Sequence, residues 1–201
     1  MSATNRGTIR HTYDAYMTPG WVARRLLEEL RRSHPNNAQP ATILDPGAGN
    51  GALLKVAKEF YPNSALSAIE IRQECKDALA QVTSDITIAD YLASNWPHAD
   101  LTIMNPPYSL ALDFVQKALT HSDWVIALLR ICWLSSGKRH EFLKNHMPNV
   151  YVLPNRPSFT INTGGGTDQT EYAWMTWDAH SCCSDGAIKT LELTSLEKRS
   201  E

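Results

Sequence analysis

The sequence predicts an α/β fold built on a mostly parallel sheet that is covered by helices on both faces. Short apolar runs alternate along the chain with segments whose apolar residues recur at helical spacing, a pattern typical of strands joined by crossover helices. One apolar run, residues 42–44, ends in a glycine-rich turn, as strands of doubly wound sheets do before the next helix. We expect a single domain over residues 1–201, because a chain of 201 residues holds one sizeable α/β core but not two.

The elements are assigned in chain order from their apolar patterns. Residues 19–32 form an amphipathic helix with a proline suited to its first turn, since the apolar positions are Val22, Leu26, Leu27 and Leu30. Turn-forming residues at 33–40 precede the strand at 42–44, and a helix follows the glycine-rich turn. The later strands are predicted at residues 65–69, 86–88, 100–104, 125–129, 150–153 and 171–177. The helices between them are predicted at residues 72–81, 110–119 and 138–145.

The two ends and one internal segment carry weak patterning. Residues 1–15 and 181–201 are expected to be peripheral or flexible, although residues 188–193 alternate enough for a short edge strand. Residues 154–169 are polar and glycine-rich and stand between two predicted strands. We expect a long loop there, at a sheet edge, where it can move over a bound substrate.

The composition excludes several classes of protein. No apolar stretch approaches the roughly 20 residues of a membrane-spanning helix, and residues 1–16 lack the apolar core of a secretory signal. We therefore expect a cytoplasmic protein with no membrane partner. The cysteines show no C-x-x-C spacing and are expected to be reduced thiols: Cys75, Cys132, Cys182 and Cys183. The histidines are scattered without ligand spacing, so no metal site is predicted.

The charge distribution does not by itself indicate a nucleic-acid partner. The formal net charge is -2, and binding to phosphates depends on clustered Lys and Arg side chains. Two local basic clusters exist, at residues 24–32 and at Lys138, Arg139 and His140. Each is explained equally well by a solvated helix face.

The first candidate site follows the strand at 42–44. Residues 45–51, DPGAGNG, place glycines where the backbone must turn tightly and approach a ligand without a Cβ atom in the way. Glu70 stands at the end of the next strand, where a doubly wound fold presents an acid to ribose hydroxyls. A plain tight turn and a surface glutamate that opens a helix are the alternatives.

The end of the third strand supplies a second acid. The carboxylate of Asp90 can accept a hydrogen bond from an adenine amino group, while the neighbouring side chains, Tyr91 and Leu92, enclose the ring. The competing interpretation is that Asp90 caps a helix.

The most specific motif is residues 105–108, NPPY, at the carboxyl end of the fourth predicted strand. Two consecutive prolines fix the backbone and remove two N–H donors. The side-chain oxygen of Asn105 and the carbonyl of Pro106 can therefore accept both hydrogens of one NH2 group. Two acceptors outside the ring plane favour the pyramidal geometry in which an aromatic amine attacks an electrophile, and Tyr108 offers a flat face for an extruded base.

With these motifs in this order, the chain resembles the class I S-adenosylmethionine-dependent amino-methyltransferases, in particular the small adenine-N6 DNA methyltransferases of phages and prophages. The likeness runs over residues 16–178, and includes residues 156–160, 164–166 and 171–174. It implies a Rossmann-like, mostly parallel sheet of seven strands with helices on both faces. It also implies S-adenosylmethionine as the cofactor and DNA, with the target adenine flipped out, as the partner.

The resemblance also assigns roles to individual residues. It implies cofactor contacts at Tyr16, Thr18, Pro19, Asp45, Gly47, Ala48, Gly49, Glu70, Ile71, Asp90, Tyr91 and Asn105. It implies that the catalytic residues are Asn105, Pro106, Pro107 and Tyr108. The substrate contacts are expected at Tyr108, Phe159, Lys138 and Arg139, although a core position is nearly as good an interpretation of Phe159.

The expected function is therefore methyl transfer to adenine N6 in DNA by a site-specific methyltransferase. Restriction-type relatives append a target-recognition domain that this chain has no room for, so recognition would fall to loops. Methylation of adenine in RNA or of a protein glutamine side chain is open as an alternative, because an amide nitrogen needs the same acceptors. A nucleic-acid-binding subunit without turnover is the alternative outside enzymes, and the intact tetrapeptide argues against it.

Overall fold

The computed structural model describes residues 17–33, 39–157, 159, 170–179, 186–195 and 197–199. The predictions for Tyr16, for residues 1–15 and 181–185, and for most of the loop at 154–169 lie outside these ranges. The helices are α1 (Gly20–Ser33), α2 (Ala52–Phe60), α3 (Lys76–Leu79), α4 (Ala111–Ala118) and α5 (His140–Asn145). The strands are β1 (Thr42–Asp45), β2 (Ala65–Glu70), β3 (Asp85–Ile88), β4 (Ala99–Met104), β5 (Ser122–Arg130), β6 (Asn149–Val152), β7 (Tyr172–Asp178) and β8 (Ile188–Thr190).

The strands form one sheet in the order β3-β2-β1-β4-β5-β7-β6-β8. All neighbouring pairs are parallel except those of β7, which runs antiparallel to both β5 and β6. The predicted fold class is confirmed, with eight strands instead of seven. The additional strand, β8, pairs with β6, and its three residues are all exposed. It lies at the edge of the sheet and within residues 188–193, whose alternation allows a short edge strand.

Alternate residues of the central strands face two separate apolar cores. Ile43, Ile103 and Leu128 pack in the core that α1 and α2 cover, whereas their neighbours in sequence pack in the core that α4 covers: Leu44, Met104 and Leu129. Successive strand side chains point to opposite faces of a sheet, so burial on both faces requires continuous apolar runs. Helices therefore cover both faces, as the sequence predicts.

Two predicted helices begin later than their apolar pattern suggests. The helix predicted at 72–81 starts with a 3-10 turn, Gln73–Cys75, before α3. Arg72 is extended (φ -91°, ψ 115°) because its backbone N–H and its guanidinium both bind the Glu70 carboxylate. The helix predicted at 138–145 likewise opens with a 3-10 turn, Gly137–Arg139, before α5.

The described part of the C-terminal segment packs against α1. Leu191 and Thr194 are buried, and Arg25 Nε of α1 donates to Thr194 Oγ1 over 2.9 Å. The backbone N–H of Thr194 donates to Asn155 Oδ1 over 2.7 Å. Among the residues described, no helix has the length and apolar character needed to span a bilayer.

The parallel strands β1, β2 and β4 end at the same edge of the sheet. Their carboxyl ends carry Asp45, Glu70 and Met104, and Asn105 follows Met104 directly. Ligands of open α/β sheets bind in the crevice beyond these ends. The topology thus brings together the acids and the tetrapeptide that the sequence motifs single out.

Candidate active site

A cavity of about 550 Å³ lies at the carboxyl edge of β1, β2 and β4. Its volume is in the range of about 300–1,000 Å³ that small-molecule sites occupy. Among the residues named from the sequence, those that line it are Thr18, Asp45, Gly47, Ala48, Gly49, Glu70, Ile71, Asp90, Tyr91, Asn105 and Pro107. Pro19, Pro106 and Tyr108 lie beside these residues in the chain but are not among the described lining residues.

The glycine-rich turn between β1 and α2 has the backbone that its sequence predicts. Gly49 and Gly51 adopt φ values of +55° and +80°, which non-glycine residues rarely do. A Cβ atom on Gly51 would lie 2.9 Å from Val82 Cγ2, so packing also requires glycine there. At Gly47 and Gly49 the turn therefore lines the cavity without a side chain.

Asp45 is 1% exposed at the floor of this turn. Its Oδ1 accepts a hydrogen bond from the Gly47 N–H over 3.2 Å. Burial raises the pKa of Asp45 to about 8, and the nearby Glu70 carboxylate adds to the rise, against the effect of the Gly47 N–H. Asp45 is therefore mainly protonated near neutral pH and can donate a hydrogen bond into the cavity.

Both carboxylate oxygens of Glu70 accept hydrogen bonds from neighbouring donors. Its Oε2 accepts from the Gly49 N–H over 2.7 Å and from Arg72 Nη2 over 3.2 Å. Its Oε1 accepts from the Arg72 backbone N–H over 3.0 Å and from Arg72 Nε over 2.9 Å. Burial alone would raise the pKa of Glu70, but the Arg72 guanidinium and the backbone N–H groups outweigh it and lower that pKa. Glu70 is thus ionised beside the nearly neutral Asp45.

Asp90 combines the two roles weighed from the sequence. Its Oδ1 accepts from the Leu92 N–H over 2.9 Å and so caps the 3-10 turn Tyr91–Ala93, and the residue also lines the cavity. Tyr91 is buried, and its hydroxyl forms a 2.7 Å hydrogen bond with His121 Nε2. Its ring packs against Phe114 with centroids 5.0 Å apart. Tyr91 therefore forms a rigid part of the cavity wall.

Asn105 brings an acceptor without a partner to the cavity. Its Nδ2 donates to Thr18 Oγ1 over 2.9 Å, and Thr18 is itself buried just before α1. Asn105 Oδ1 is buried and has no hydrogen-bond partner among the residues that the structure describes. A buried acceptor left without a donor costs about 1–3 kcal/mol, so this oxygen is a strong candidate for contact with a bound ligand.

The two prolines of the tetrapeptide lead the chain from β4 into α4. Pro106 is buried, and Pro107 lines the cavity. The carbonyl of Pro107 accepts from the Leu110 N–H over 2.9 Å, which forms the turn before α4. The tetrapeptide is therefore held by a strand on one side and a helix on the other.

Tyr108 belongs to an aromatic and cationic cluster that the sequence analysis did not identify. Its ring lies 5.8 Å from that of Tyr172, which also contacts the Phe159 ring with centroids 5.0 Å apart. The guanidinium carbon of Arg130 lies 4.7 Å from the centre of the Tyr108 ring. Phe159 is buried. Arg130 and Tyr172 are paired across β5 and β7, a relationship that only the sheet register reveals.

The basic pair expected to contact the substrate lies on the 3-10 turn before α5. Lys138 is exposed. Arg139 Nε donates to the Trp133 carbonyl over 2.6 Å, and its guanidinium carbon lies 5.1 Å from the centre of the Trp133 ring. Neither residue is among the described residues that line the cavity. Their proposed contact with substrate would have to lie outside it.

The structure also brings together three side chains at the opposite edge of the sheet. Ligand atoms of His98, Asp100 and Asp123 lie within 4.8 Å of one another. His98 Nε2 and Asp123 Oδ1 are 2.8 Å apart, and Asp100 Oδ2 accepts from the N–H groups of Ala41 and Thr42. Sequence spacing did not reveal this cluster because His98 and Asp100 stand at the start of β4 and Asp123 at the start of β5. Its role in joining β1, β4 and β5 accounts for these contacts, and the absence of a metal stays a prediction.

Comparison with known proteins identifies the fold. No family model and no curated protein matches the chain. A candidate RNA methyltransferase from Pyrococcus horikoshii superposes with a TM-score of 0.65 at 19% identity, covering 88% of this chain and 94% of that one. A methyltransferase subunit of a type I restriction-modification system from Streptococcus thermophilus superposes with a TM-score of 0.66 at 18% identity, and the match covers 83% of this chain and 45% of that one.

A third solved structure is similar over nearly the whole chain. It is a candidate class I S-adenosylmethionine-dependent methyltransferase from Listeria monocytogenes, with a TM-score of 0.67 at 13% identity, covering 97% of this chain and 71% of that one. At such identities the likeness establishes the fold. The chain has the Rossmann-like fold of the class I methyltransferases.

Proposed function

We propose that this protein binds S-adenosylmethionine in the cavity and transfers its methyl group to an exocyclic amino group, with adenine N6 in DNA as the acceptor. The observation that carries the proposal is the buried Oδ1 of Asn105, an acceptor with no partner among the described residues. Asn105 lines the cavity. An NH2 group of a substrate is a donor that would satisfy this oxygen.

The residues around the cavity fit the cofactor. Glu70 is an ionised acceptor suited to the two ribose hydroxyls. The second carboxylate oxygen of Asp90 can accept from the adenine amino group while its first oxygen caps the turn. The glycine-rich turn lets the backbone approach the middle of the ligand. The cavity volume of about 550 Å³ is sufficient for a nucleoside with an amino-acid side arm.

The residues of the tetrapeptide supply positioning and electrostatics. When bound, S-adenosylmethionine supplies an electrophilic methyl group on a sulfonium sulfur. Asn105 Oδ1 accepts one hydrogen of the substrate amine, and we assign the second hydrogen to the carbonyl of Pro106. Two acceptors outside the ring plane would localise the lone pair on the substrate nitrogen, the pair that attacks the methyl carbon with S-adenosylhomocysteine as the leaving group. The proton that the methylated nitrogen sheds would pass to water, because an amide oxygen and a peptide carbonyl are too weakly basic to keep it.

Three features support adenine in DNA as the acceptor. The NPPY tetrapeptide resembles that of adenine-N6 methyltransferases, and a methyltransferase subunit of a type I restriction-modification system is among the structural neighbours. Tyr108 follows the acceptor pair and presents an aromatic ring on which an extruded base can stack. Adenine in RNA is the second candidate, because the neighbour from Pyrococcus horikoshii is described as acting on RNA. Glutamine in a protein and a subunit without turnover complete the alternatives.

The proposal is tested by methyl transfer from S-adenosylmethionine labelled in the methyl group. The purified protein is incubated separately with unmethylated genomic DNA, with total RNA and with a cell protein extract, and the nucleosides or amino acids are then analysed. Asn105→Ala serves as the inactive variant. Asn145→Ala is its matched control, because Asn145 ends α5 and is exposed, with Nδ2 donating to the Glu141 carbonyl.

Each outcome assigns the acceptor. Labelled N6-methyladenine in DNA from the wild type and Asn145→Ala, but not from Asn105→Ala, is the expected result. Label in RNA or in glutamine instead would transfer the same chemistry to another substrate class. Cofactor binding without transfer to any of the three would favour the non-catalytic subunit.

A further inference from the structure

The carboxylate of Glu70 is saturated with hydrogen bonds. A carboxylate offers about four lone-pair sites, and the four donors are the N–H groups of Gly49 and Arg72 and the Nε and Nη2 groups of the Arg72 guanidinium. Two of these donors belong to the backbone, and two belong to one side chain. Glu70 therefore has no lone pair left for a ligand while the Arg72 side chain stays in place.

The Arg72 guanidinium holds the acceptor positions on Glu70 that face the cavity. It lines the cavity, and its Nη2 group lies 3.6 Å from the position of a Cβ atom on Gly49. Its Nε and Nη2 groups form a bidentate pair of hydrogen bonds to the two carboxylate oxygens of Glu70. The vicinal hydroxyls of a ribose are also a bidentate donor, so the ribose and the guanidinium compete for the same two carboxylate oxygens.

We propose that the Arg72 side chain occupies the two hydrogen-bonding positions on Glu70 that a ribose diol would use, and that it must release them before the diol of a nucleoside cofactor binds, so that Arg72 sets the affinity for that cofactor. The inference rests on the proposed function, because it concerns the same cavity. It makes Arg72 a competitor of the ribose diol. The backbone donors from Gly49 and Arg72 remain on Glu70 throughout, which keeps the carboxylate ionised and aimed at the subsite.

The neighbourhood of Arg72 allows the side chain to leave. Its side chain is 22% exposed, on the solvent side of the pair. Glu70 is the main cause of the raised pKa of Arg72, and the exposed Glu74 of the following 3-10 turn adds a smaller electrostatic effect. The released guanidinium would therefore still be attracted by a second acid, which is solvated and attracts it more weakly.

The test compares ligands with and without the diol. The dissociation constants of S-adenosylhomocysteine and of its 2′,3′-dideoxy analogue are measured by calorimetry for the wild type, Arg72→Met and Arg72→Lys. Methionine preserves much of the apolar stem but has no donor, and lysine preserves the charge with a single donor. Arg32→Met is the matched control, because Arg32 forms an exposed ion pair with Glu29 on α1.

We expect Arg72→Met to bind S-adenosylhomocysteine about tenfold more tightly than the wild type, with Arg72→Lys between the two. The dideoxy analogue should bind Arg72→Met and the wild type with similar affinity, since it has no ribose hydroxyls that could donate to Glu70. A general effect on folding would not distinguish the two ligands. Arg32→Met should match the wild type for both.

Two results would contradict the inference in different ways. Equal or weaker binding of S-adenosylhomocysteine by Arg72→Met, with measurable binding to the wild type, overturns the role of Arg72 and leaves the cofactor assignment intact. No binding to the wild type or to any variant overturns the cofactor assignment and the inference together. Binding only to Arg72→Met would support the inference in its strongest form.

Discussion

Asn105 Nδ2 donates a hydrogen bond to Thr18 Oγ1 over 2.9 Å, across 87 positions of the chain. Thr18 precedes α1, and Asn105 follows β4. The bond fixes the Asn105 amide with its nitrogen towards Thr18, which leaves Oδ1 as a buried acceptor without a partner among the described residues. The N-terminal element therefore orients the residue that we assign to the substrate amine.

Thr18→Val should slow methyl transfer with little effect on cofactor affinity. Valine has nearly the shape of threonine but no hydroxyl, so the Asn105 amide loses the partner that orients it. A hydrogen bond that holds the amide in place contributes about 1.4 kcal/mol, and a rise of that size in the activation free energy lowers kcat about tenfold. Single-turnover rates and calorimetric binding of S-adenosylhomocysteine separate the two effects. Thr120→Val is the control, since the Thr120 hydroxyl bonds the Lys117 carbonyl on the exposed end of α4; an unchanged rate in Thr18→Val would remove the orienting role.

Substitution of Tyr108 should act through the loss of an aromatic surface. The Arg130 guanidinium lies over the ring and Tyr172 makes a tilted contact with it, and stacking of a base on an aromatic side chain is worth about 1–3 kcal/mol. We expect Tyr108→Ala to lower kcat/KM for DNA by about 5- to 150-fold, and Tyr108→Phe to retain most of it. Equal losses in the two variants would assign the effect to the hydroxyl instead of the ring.

The raised pKa of Asp45 predicts a pH-dependent stability. The folded protein keeps a proton on Asp45 up to about pH 8, whereas the unfolded chain loses it near pH 4. The contribution of this group to stability is therefore complete below about pH 4 and is lost as the pH rises towards 8, by at most about 1.4 kcal/mol for each pH unit. Asp45→Asn, which keeps an acceptor for the Gly47 N–H, should become progressively more stable than the wild type over that window.

Urea unfolding of both proteins between about pH 5 and pH 8 measures this difference. Asp113→Asn provides the control, because Asp113 is exposed in the first turn of α4. A stability difference between Asp45→Asn and the wild type that does not change with pH would show that Asp45 titrates as an ordinary aspartate.

Cys75 reports on occupation of the cavity. It lines the cavity and is partly buried, whereas Cys132 is exposed and is not among the described lining residues. Burial raises the pKa of the Cys75 thiol, so alkylation should be followed at mildly alkaline pH, where more thiolate is present. Saturating S-adenosylhomocysteine should slow alkylation of Cys75 and leave that of Cys132 unchanged, as measured by peptide mass spectrometry. Equal rates at Cys75 with and without ligand would place the ligand elsewhere.

The sequence allowed most of the sheet and the floor of the cavity to be predicted, because both depend on local patterns. Apolar runs buried on two faces mark β1, β4 and β5, and a glycine-rich turn or an acid at a strand end needs only neighbours in sequence. Glu70 and Asn105 line one cavity, as their positions at the ends of parallel strands predict.

The remaining features depend on contacts between distant residues or on side-chain conformation. Alternation at residues 188–193 allows the exposed β8, but nothing local shows that it pairs with β6. The Arg72 side chain folds back on Glu70, and this interaction delays α3 although the helical pattern begins at residue 72. Tyr172 lies opposite Arg130, and within contact of Tyr108, because β5 pairs with β7 in one particular register. None of these relationships has a spacing rule that a single sequence reveals.

The most direct measurement compares cofactor binding and methyl transfer in Asn105→Ala. We predict that the variant binds S-adenosylhomocysteine within about threefold of the wild type, while the single-turnover rate of N6-methyladenine formation in DNA falls by at least about 100-fold. That split would place the effect of Asn105 in the transfer step. Methyl transfer at the wild-type rate by Asn105→Ala would contradict the assignment of its Oδ1 as the acceptor for the substrate amine.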